Sequence, residues 1–164
     1  MHMAPLVFVC DAMLGTLARW LRFAGFDTVY APDTRDAALV GRARAEGRWL
    51  LTRDRGLAAR AGPRVVLLRS ADVRAQLAEL RGRLPLVVER GRYLSRCSCC
   101  NSELREIARE EAAARVPPYV AANASRFFLC PGCRRIYWPG THPEKIERQL
   151  EALFGSEAAL EPRL

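Results

Sequence analysis

Histidine is nearly missing from this chain: His2 and His142 are the only two in 164 residues. Acid–base chemistry built on an imidazole is therefore poorly supported across the long stretch between them. No G-x-S-x-G elbow presents a serine nucleophile. No G-x-G-x-x-G or G-x-x-x-x-G-K loop is there to cradle a dinucleotide or a nucleoside triphosphate. The opening "MHMAPLVFVCDAM" has no basic leader and no export-type cleavage site, and no apolar run approaches the ~20 residues of a membrane span. Pro and Gly are modest at 10 and 11 residues while half of the chain is apolar, which excludes global disorder. The length suits one domain, or a compact domain with a small module that needs help to fold.

What the chain has in abundance is arginine. The formal charge is +8, and residues 1–90 carry 15 arginines against 9 acids, while residues 91–164 carry 11 basic residues against 9 acids. The first part thus holds the field that attracts a polyanion. Four zinc-bound thiolates in the second part would bring its excess of two down to about neutral.

Six cysteines occur, Cys10 alone and the other five in the patterns "CSCC" and "CPGC". These do not resemble a secreted disulfide framework; a reducing, cytoplasmic setting and metal binding follow as expectations. Cys97 with Cys100 and Cys130 with Cys133 make two C-x-x-C pairs, each able to point two sulfurs at one ion. A structural zinc site is the reading, with no position left open for water. Disulfides, an unoccupied thiol cluster or iron are the alternatives. Cys99 is read as a bystander, and Cys10 as a buried apolar residue.

Alternating strand and helix signals fill the first half. "PLVFVC" reads as a covered parallel strand, with Asp11 at its end, and Leu14, Leu17, Leu21 and Ala24 form a helical stripe after it. "DTVYA" is a second strand, "RWLLT" a third and "RVVLL" a fourth. Helices lie between them, the second capped by Thr34 or Asp33 and the fourth beginning near Ser70 or Asp72. Four repeats of this alternation predict a parallel sheet flanked by helices, an α/β fold over residues 1–90. A zinc ribbon with a C-terminal helix is predicted over residues 91–156. Thr141 and Glu144 form a capping-box pattern, and Ile146, Leu150, Leu153 and Phe154 an apolar stripe that packs on the module or on the first domain.

Ligands of parallel sheets sit beyond the carboxyl ends of the strands. Asp11, Asp36 and Asp54 are expected there together, an oxygen donor set of the kind used by magnesium or manganese. Arg19, Arg22, Arg53 and Arg55 are candidates for phosphate contact or for neutralising the acids, and Thr52 for holding a water or orienting Asp54. Each aspartate also has a plain structural reading: a cap at Asp11, a helix first turn at Asp36, a surface ion pair at Asp54. In the module, Arg134, Arg135, Tyr137 and Trp138 can meet nucleic acid by charge and stacking. Packing is the expectation for Trp138, since small modules lack core. Trp20 and Phe23 are read as helix-packing residues, His142 as structural and His2 as silent.

Together, "VFVCDAMLGTLARWLRFAGFDTVY" and "RDAALVGRARAEGRWLLTRDRGL" resemble the PIN-like ribonuclease family named for the C-terminal domain of the Mut-seven exonuclease. "RCSCCNSEL" and "FFLCPGCRRIYWPGTH" resemble its zinc-ribbon portion, so the similarity runs from Leu6 to Phe154. The resemblance implies a PIN-like nuclease fold with a zinc ribbon, RNA as substrate, and divalent metal on Asp11, Asp36 and Asp54, with Asp72 as a further acidic candidate. One departure stands out: the usual glycine after the second cysteine pair is Arg134 here. The expected function is a Mg- or Mn-dependent ribonuclease. The alternatives are a non-catalytic RNA-binding or ribosome-associated zinc protein, and a structural interaction protein whose acidic edge is incidental.

Overall fold

The structure is a computed structural model that describes residues 5–138 and 143–154. The first four strands are β1 (Val7–Cys10), β2 (Asp27–Tyr30), β3 (Trp49–Thr52) and β4 (Val65–Leu67), all paired in parallel in the order β2-β1-β3-β4. Between and after them run α1 (Gly15–Phe23), α2 (Asp36–Ala45), α3 (Arg55–Ala61) and α4 (Val73–Arg81). The α/β fold predicted from the alternating pattern is the one observed.

The period of two along a strand divides the core. Phe8, Cys10, Leu51 and Val66 face one way and meet α1 and α4, whereas Val9, Leu50 and Val29 face the other and meet Leu39 and Ala43 of α2 and Leu57 and Ala61 of α3. The stripe Leu14, Leu17, Leu21 and Ala24 is buried as its spacing requires. Three helices open on an aspartate or near one. Asp54 caps α3 and Asp72 caps α4 through their carboxylates, while α2 begins at Asp36 itself after an uncapped Arg35. Neither Thr34 nor Asp33 serves as the α2 cap that was expected; Asp36 in the first turn instead meets the exposed amides electrostatically.

The second sheet is antiparallel, in the order β5-β6-β7, from β5 (Arg105–Ile107), β6 (Phe127–Leu129) and β7 (Ile136–Tyr137). The short helices α5 (Arg109–Ala113) and α6 (Pro118–Asn123) sit between β5 and β6. Its core is small, centred on Ile107, Ala112, Val116, Phe127 and Leu129. A core of that size stabilises little by itself, which leaves work for a metal.

The last helix, α7 (Pro143–Phe154), follows the module in sequence but packs on the first sheet. Leu150, Leu153 and Phe154 join the cluster containing Phe8 and Leu17, and the Phe154 ring lies 6.5 Å from that of Phe26. Of the two packing partners expected for this stripe, the module or the first domain, α7 takes the first domain. Thr141 of the capping box, His142, His2 and the side chains of Glu144 and Ile146 lie outside the described residues.

The chain leaves α1 through Gly25, at φ +91°, beside the segment leading to the module. A Cβ there would stand 2.6 Å from the carbonyl oxygen of Arg92. Gly25→Ala is expected to cost at least about 1–2 kcal/mol from the left-handed backbone alone, with more from the collision. Denaturant titration of the metal-loaded protein measures it, and a loss below half a kcal/mol, roughly the level of a neutral surface change, would contradict the close approach.

Candidate functional site

Four sulfurs meet in the module. The Sγ atoms of Cys97, Cys100, Cys130 and Cys133 all lie within 4.8 Å of one another. Cys97 and Cys133 are 3.6 Å apart, and Cys100 and Cys130 are 3.3 Å apart. Tetrahedral zinc with bonds of about 2.3 Å sets its sulfurs about 3.8 Å apart, so the cage needs only slight adjustment. Each pair sits on a turn that donates an amide back to its first sulfur, Cys100 N to Cys97 and Cys133 N to Cys130, both at 3.4 Å. The Tyr137 hydroxyl donates to Cys97 Sγ at 2.9 Å.

Burial opposes ionisation throughout this cluster, yet hydrogen bonds from Tyr137 and nearby amides draw Cys97 down, and the Ser102 hydroxyl and amide draw Cys100 down. Cys130 is pushed up by burial, and Cys133 by burial together with the neighbouring sulfurs. Four thiolates thus need a cation to coexist, and a soft all-sulfur donor set fits zinc. Cys99 is exposed and outside the group, as its bystander reading requires.

Both turns end on a residue with positive φ: Asn101 at 74° after Cys100, and Arg134 at 65° after Cys133. Asparagine tolerates this conformation, whereas arginine pays roughly 1–2 kcal/mol for it. Close approach fixes the second turn from another side. A Cβ on Gly132 would lie 2.4 Å from the Ser102 hydroxyl and 3.1 Å from Cys100 Sγ.

The first turn is fastened to the parallel sheet. β2 is an edge strand, and its Thr28 amide donates to Asn101 Oδ1 at 2.9 Å, while Asn101 Nδ2 donates to Asp27 Oδ1 at 2.7 Å. Arg22, buried in α1, donates from Nε to Thr28 O at 2.9 Å and from Nη1 to Ser98 O and Cys99 O at 3.0 Å each. Arg22 was expected among the phosphate contacts. Its guanidinium is instead turned inward and spent on carbonyls, so the structure corrects that assignment.

The carboxylates are arranged differently. Asp11 is buried at the end of β1; its Oδ1 accepts from Met13 N at 2.9 Å, and its Oδ2 accepts from the Thr52 hydroxyl and from Arg53 N at 3.3 Å. Thr52 Oγ1 in turn accepts from Asp54 N at 2.9 Å, and Asp54 Oδ1 accepts from Leu57 N at 2.9 Å. Thr52 therefore links the two strand-end aspartates, although it orients the Asp54 backbone rather than its carboxylate. Asp36 pairs with Arg60 of α3 at 2.9 Å on the exposed side. Among the described residues, only the four cysteines bring three or more potential metal-ligating side chains within 4.8 Å. The expected gathering of Asp11, Asp36 and Asp54 around one ion is thus not found: each carboxylate is drawn to a local donor. Magnesium or manganese does not fit the three as they stand. Asp72 serves as the cap of α4.

A family model described as the Mut7-C RNAse domain matches residues 6–150, running through the parallel sheet, the cysteine module and into α7. The chain belongs to the Mut7-C RNase domain family. No curated protein and no solved structure gives a significant match. The family match spans both sheets as one unit, consistent with the fastening of the module by Arg22 and Asn101.

In this family member the side chains of Arg19 and Arg55 are exposed and carry no hydrogen bond or ion pair among the described residues. Arg53 is half-buried, with its Nε atom unpartnered. Cys10 is fully buried, and burial followed by the neighbouring Asp11 charge pushes its thiol far up, which removes it as a nucleophile. Trp138 is 36% exposed and is not among the residues of the module's own apolar cluster. The roles of Asn101 and Tyr137 were not foreseen. An asparagine directly after a C-x-x-C pair was the available signal for the first; nothing local in the sequence marks the second.

Metal-loaded protein is expected to hold about one equivalent of zinc. Asn101→Ala should lower its unfolding free energy by about 1–3 kcal/mol, since two partly buried hydrogen bonds go and Asp27 and Thr28 lose partners. Unchanged thermal and denaturant midpoints would refute the fastening role.

Burial alone would raise the Asp27 carboxyl, but hydrogen bonds from Arg48 and Asn101 outweigh it and hold the group below its ordinary value. A depressed carboxylate stabilises the fold fully above its unfolded value of about 3.9, and that contribution is lost as pH falls through the folded value. The stability gap between the wild type and Asp27→Asn should therefore be constant above about pH 5 and shrink on further acidification. A gap that widens on acidification would reverse the assigned sign.

Proposed function

We propose that this protein binds RNA as a zinc-stabilised member of the Mut7-C RNase domain family. The observation that carries the reading is the family match over residues 6–150, through the sheet and the cysteine module alike. Charge supports it: the chain carries +8, and Arg19 in α1 and Arg55 at the start of α3 have no carboxylate partner among the described residues. Such guanidinium groups hold phosphates in paired hydrogen bonds and release counterions on binding. The zinc stabilises the module, and no step of the reading places chemistry on it.

A second reading, hydrolysis of the RNA, is favoured by Asp11. This carboxylate is 6% exposed, receives only neutral donors and has no ion-pair partner among the described residues. A buried carboxylate without a cation is costly, and this one stands at the carboxyl end of a parallel strand, where such sheets bind their ligands. Asp54, joined to it through Thr52, completes the pair on this reading, with Asp36 the third candidate once free of Arg60.

One experiment separates the two. Zinc-loaded protein is mixed with end-labelled single-stranded and structured RNAs, with added Mg, added Mn or neither, beside Asp11→Asn and Asp54→Asn. Binding is expected in every arm, weakening steeply with salt at about −0.7 in log K per phosphate contact. Cleavage that needs the added ion and disappears in both variants while binding persists would establish the second reading. Failure of the zinc-loaded wild type to bind any RNA at low salt would overturn the proposal.

A further inference from the structure

Beside the second cysteine turn lies a cleft of about 480 Å³ lined by Ser98, Arg115, Arg134, Arg135, Ile136, Tyr137 and Trp138. Among the described residues, no carboxylate lines it. Among the described residues, the guanidinium groups of Arg134 and Arg135 have no hydrogen bond or ion pair; Arg115 gives one nitrogen to the Arg134 carbonyl. Trp138 is 36% exposed beside them.

We infer that this cleft is a subsite for single-stranded RNA: Trp138 stacks on one unpaired base while Arg134, Arg135 and Arg115 hold the phosphates on either side of it. The inference rests on the RNA-binding reading and goes further, because it assigns a base-contacting surface to the cysteine module rather than to the parallel sheet. Three independent features support it.

The first is charge without compensation, which suits a polyanion and nothing cationic. The second is an aromatic face beside arginines. An exposed indole stacks on any base that is not already stacked in a duplex, which selects single strands over double ones. The third is strain. Arg134 occupies a left-handed backbone position that glycine would adopt freely, so its side chain is retained against a local cost, and such outliers point to function. The site is also stiff. The Arg134 amide donates to the Cys130 carbonyl at 3.0 Å, and Tyr137 is tied by its hydroxyl to Cys97 Sγ at 2.9 Å. Metal at the four cysteines would fix both, so RNA would lose little affinity to ordering the protein.

The test uses full-length, zinc-loaded protein without added magnesium or manganese. Its probes are a single-stranded RNA of about eight nucleotides, a base-free sugar–phosphate strand of the same length, and an RNA duplex. Affinities come from fluorescence anisotropy over a range of salt. Trp138→Ala should weaken single-strand binding about tenfold while leaving affinity for the base-free strand unchanged. Arg134→Gly should unfold at an equal or higher denaturant midpoint, yet bind the single strand several-fold more weakly and with a salt slope smaller by about 0.7. That opposition of stability and affinity is not expected of a purely structural residue. If the wild type binds the strand but both variants bind it as tightly, the subsite is overturned and the broader reading stands. Absence of RNA binding in the wild type overturns both.

Discussion

The arrangement depends on one junction, where the first cysteine turn is sewn onto the open edge of the parallel sheet. An edge strand presents amides that must find acceptors. Here Asn101 supplies one to Thr28, and Arg22 reaches from α1 to gather the carbonyls of Thr28, Ser98 and Cys99. The same contacts hold the module, whose own core is too small to be firm. Because the Asn101 turn is set by Cys97 and Cys100, the metal site and the sheet edge share one piece of backbone. Loss of the metal would loosen the turn and, with it, the acceptor that satisfies β2. The module and the parallel sheet thus become one unit, which α7 reinforces by returning to pack on the first sheet.

The parallel sheet was legible in the sequence because its strands are covered on both faces and read as short continuous apolar runs. Val7–Cys10 and Trp49–Thr52 are of this kind, and the stripe from Leu14 to Ala24 needed only its spacing. The cysteine cage was legible for a related reason: two C-x-x-C turns carry their geometry locally. What could not be read was any contact whose partners lie far apart. Arg22 looked like a surface cation on a helix; only the arrival of the cysteine turn, some 76 residues later in the chain, makes an inward guanidinium favourable. The packing of α7 had the same difficulty, since an apolar stripe does not name its partner.

The aspartates were found at their expected places in the chain but not in their expected company. Asp11 and Asp54 do stand at the ends of β1 and β3, linked through Thr52. Asp36 does open α2. Yet a carboxylate at a helix start has a choice of partners, and Arg60 on the neighbouring α3 competes for Asp36 more directly than a distant pair of carboxylates could. In a chain this rich in arginine, an exposed acid readily finds a guanidinium before it finds another acid. Of the three, Asp11 and Asp54 have no ion pair among the described residues, and Asp11 is the one that is also buried.

The two cysteine turns show how one backbone form can be put to opposite uses. Each closes with a residue in the left-handed region, and each makes the same return from amide to carbonyl, Asn101 to Cys97 and Arg134 to Cys130. Asparagine suits that position, and its amide is turned inward to join the sheet. Arginine does not suit it, and its guanidinium meets no partner among the described residues. A residue chosen only to complete the turn would be glycine, which adopts this backbone without strain. The local cost at Arg134 therefore calls for a contact made by the side chain, and the uncompensated cleft with Trp138 is where that side chain stands. One turn binds the protein to itself; the other faces outward with charge and an aromatic ring held in place by the same four sulfurs.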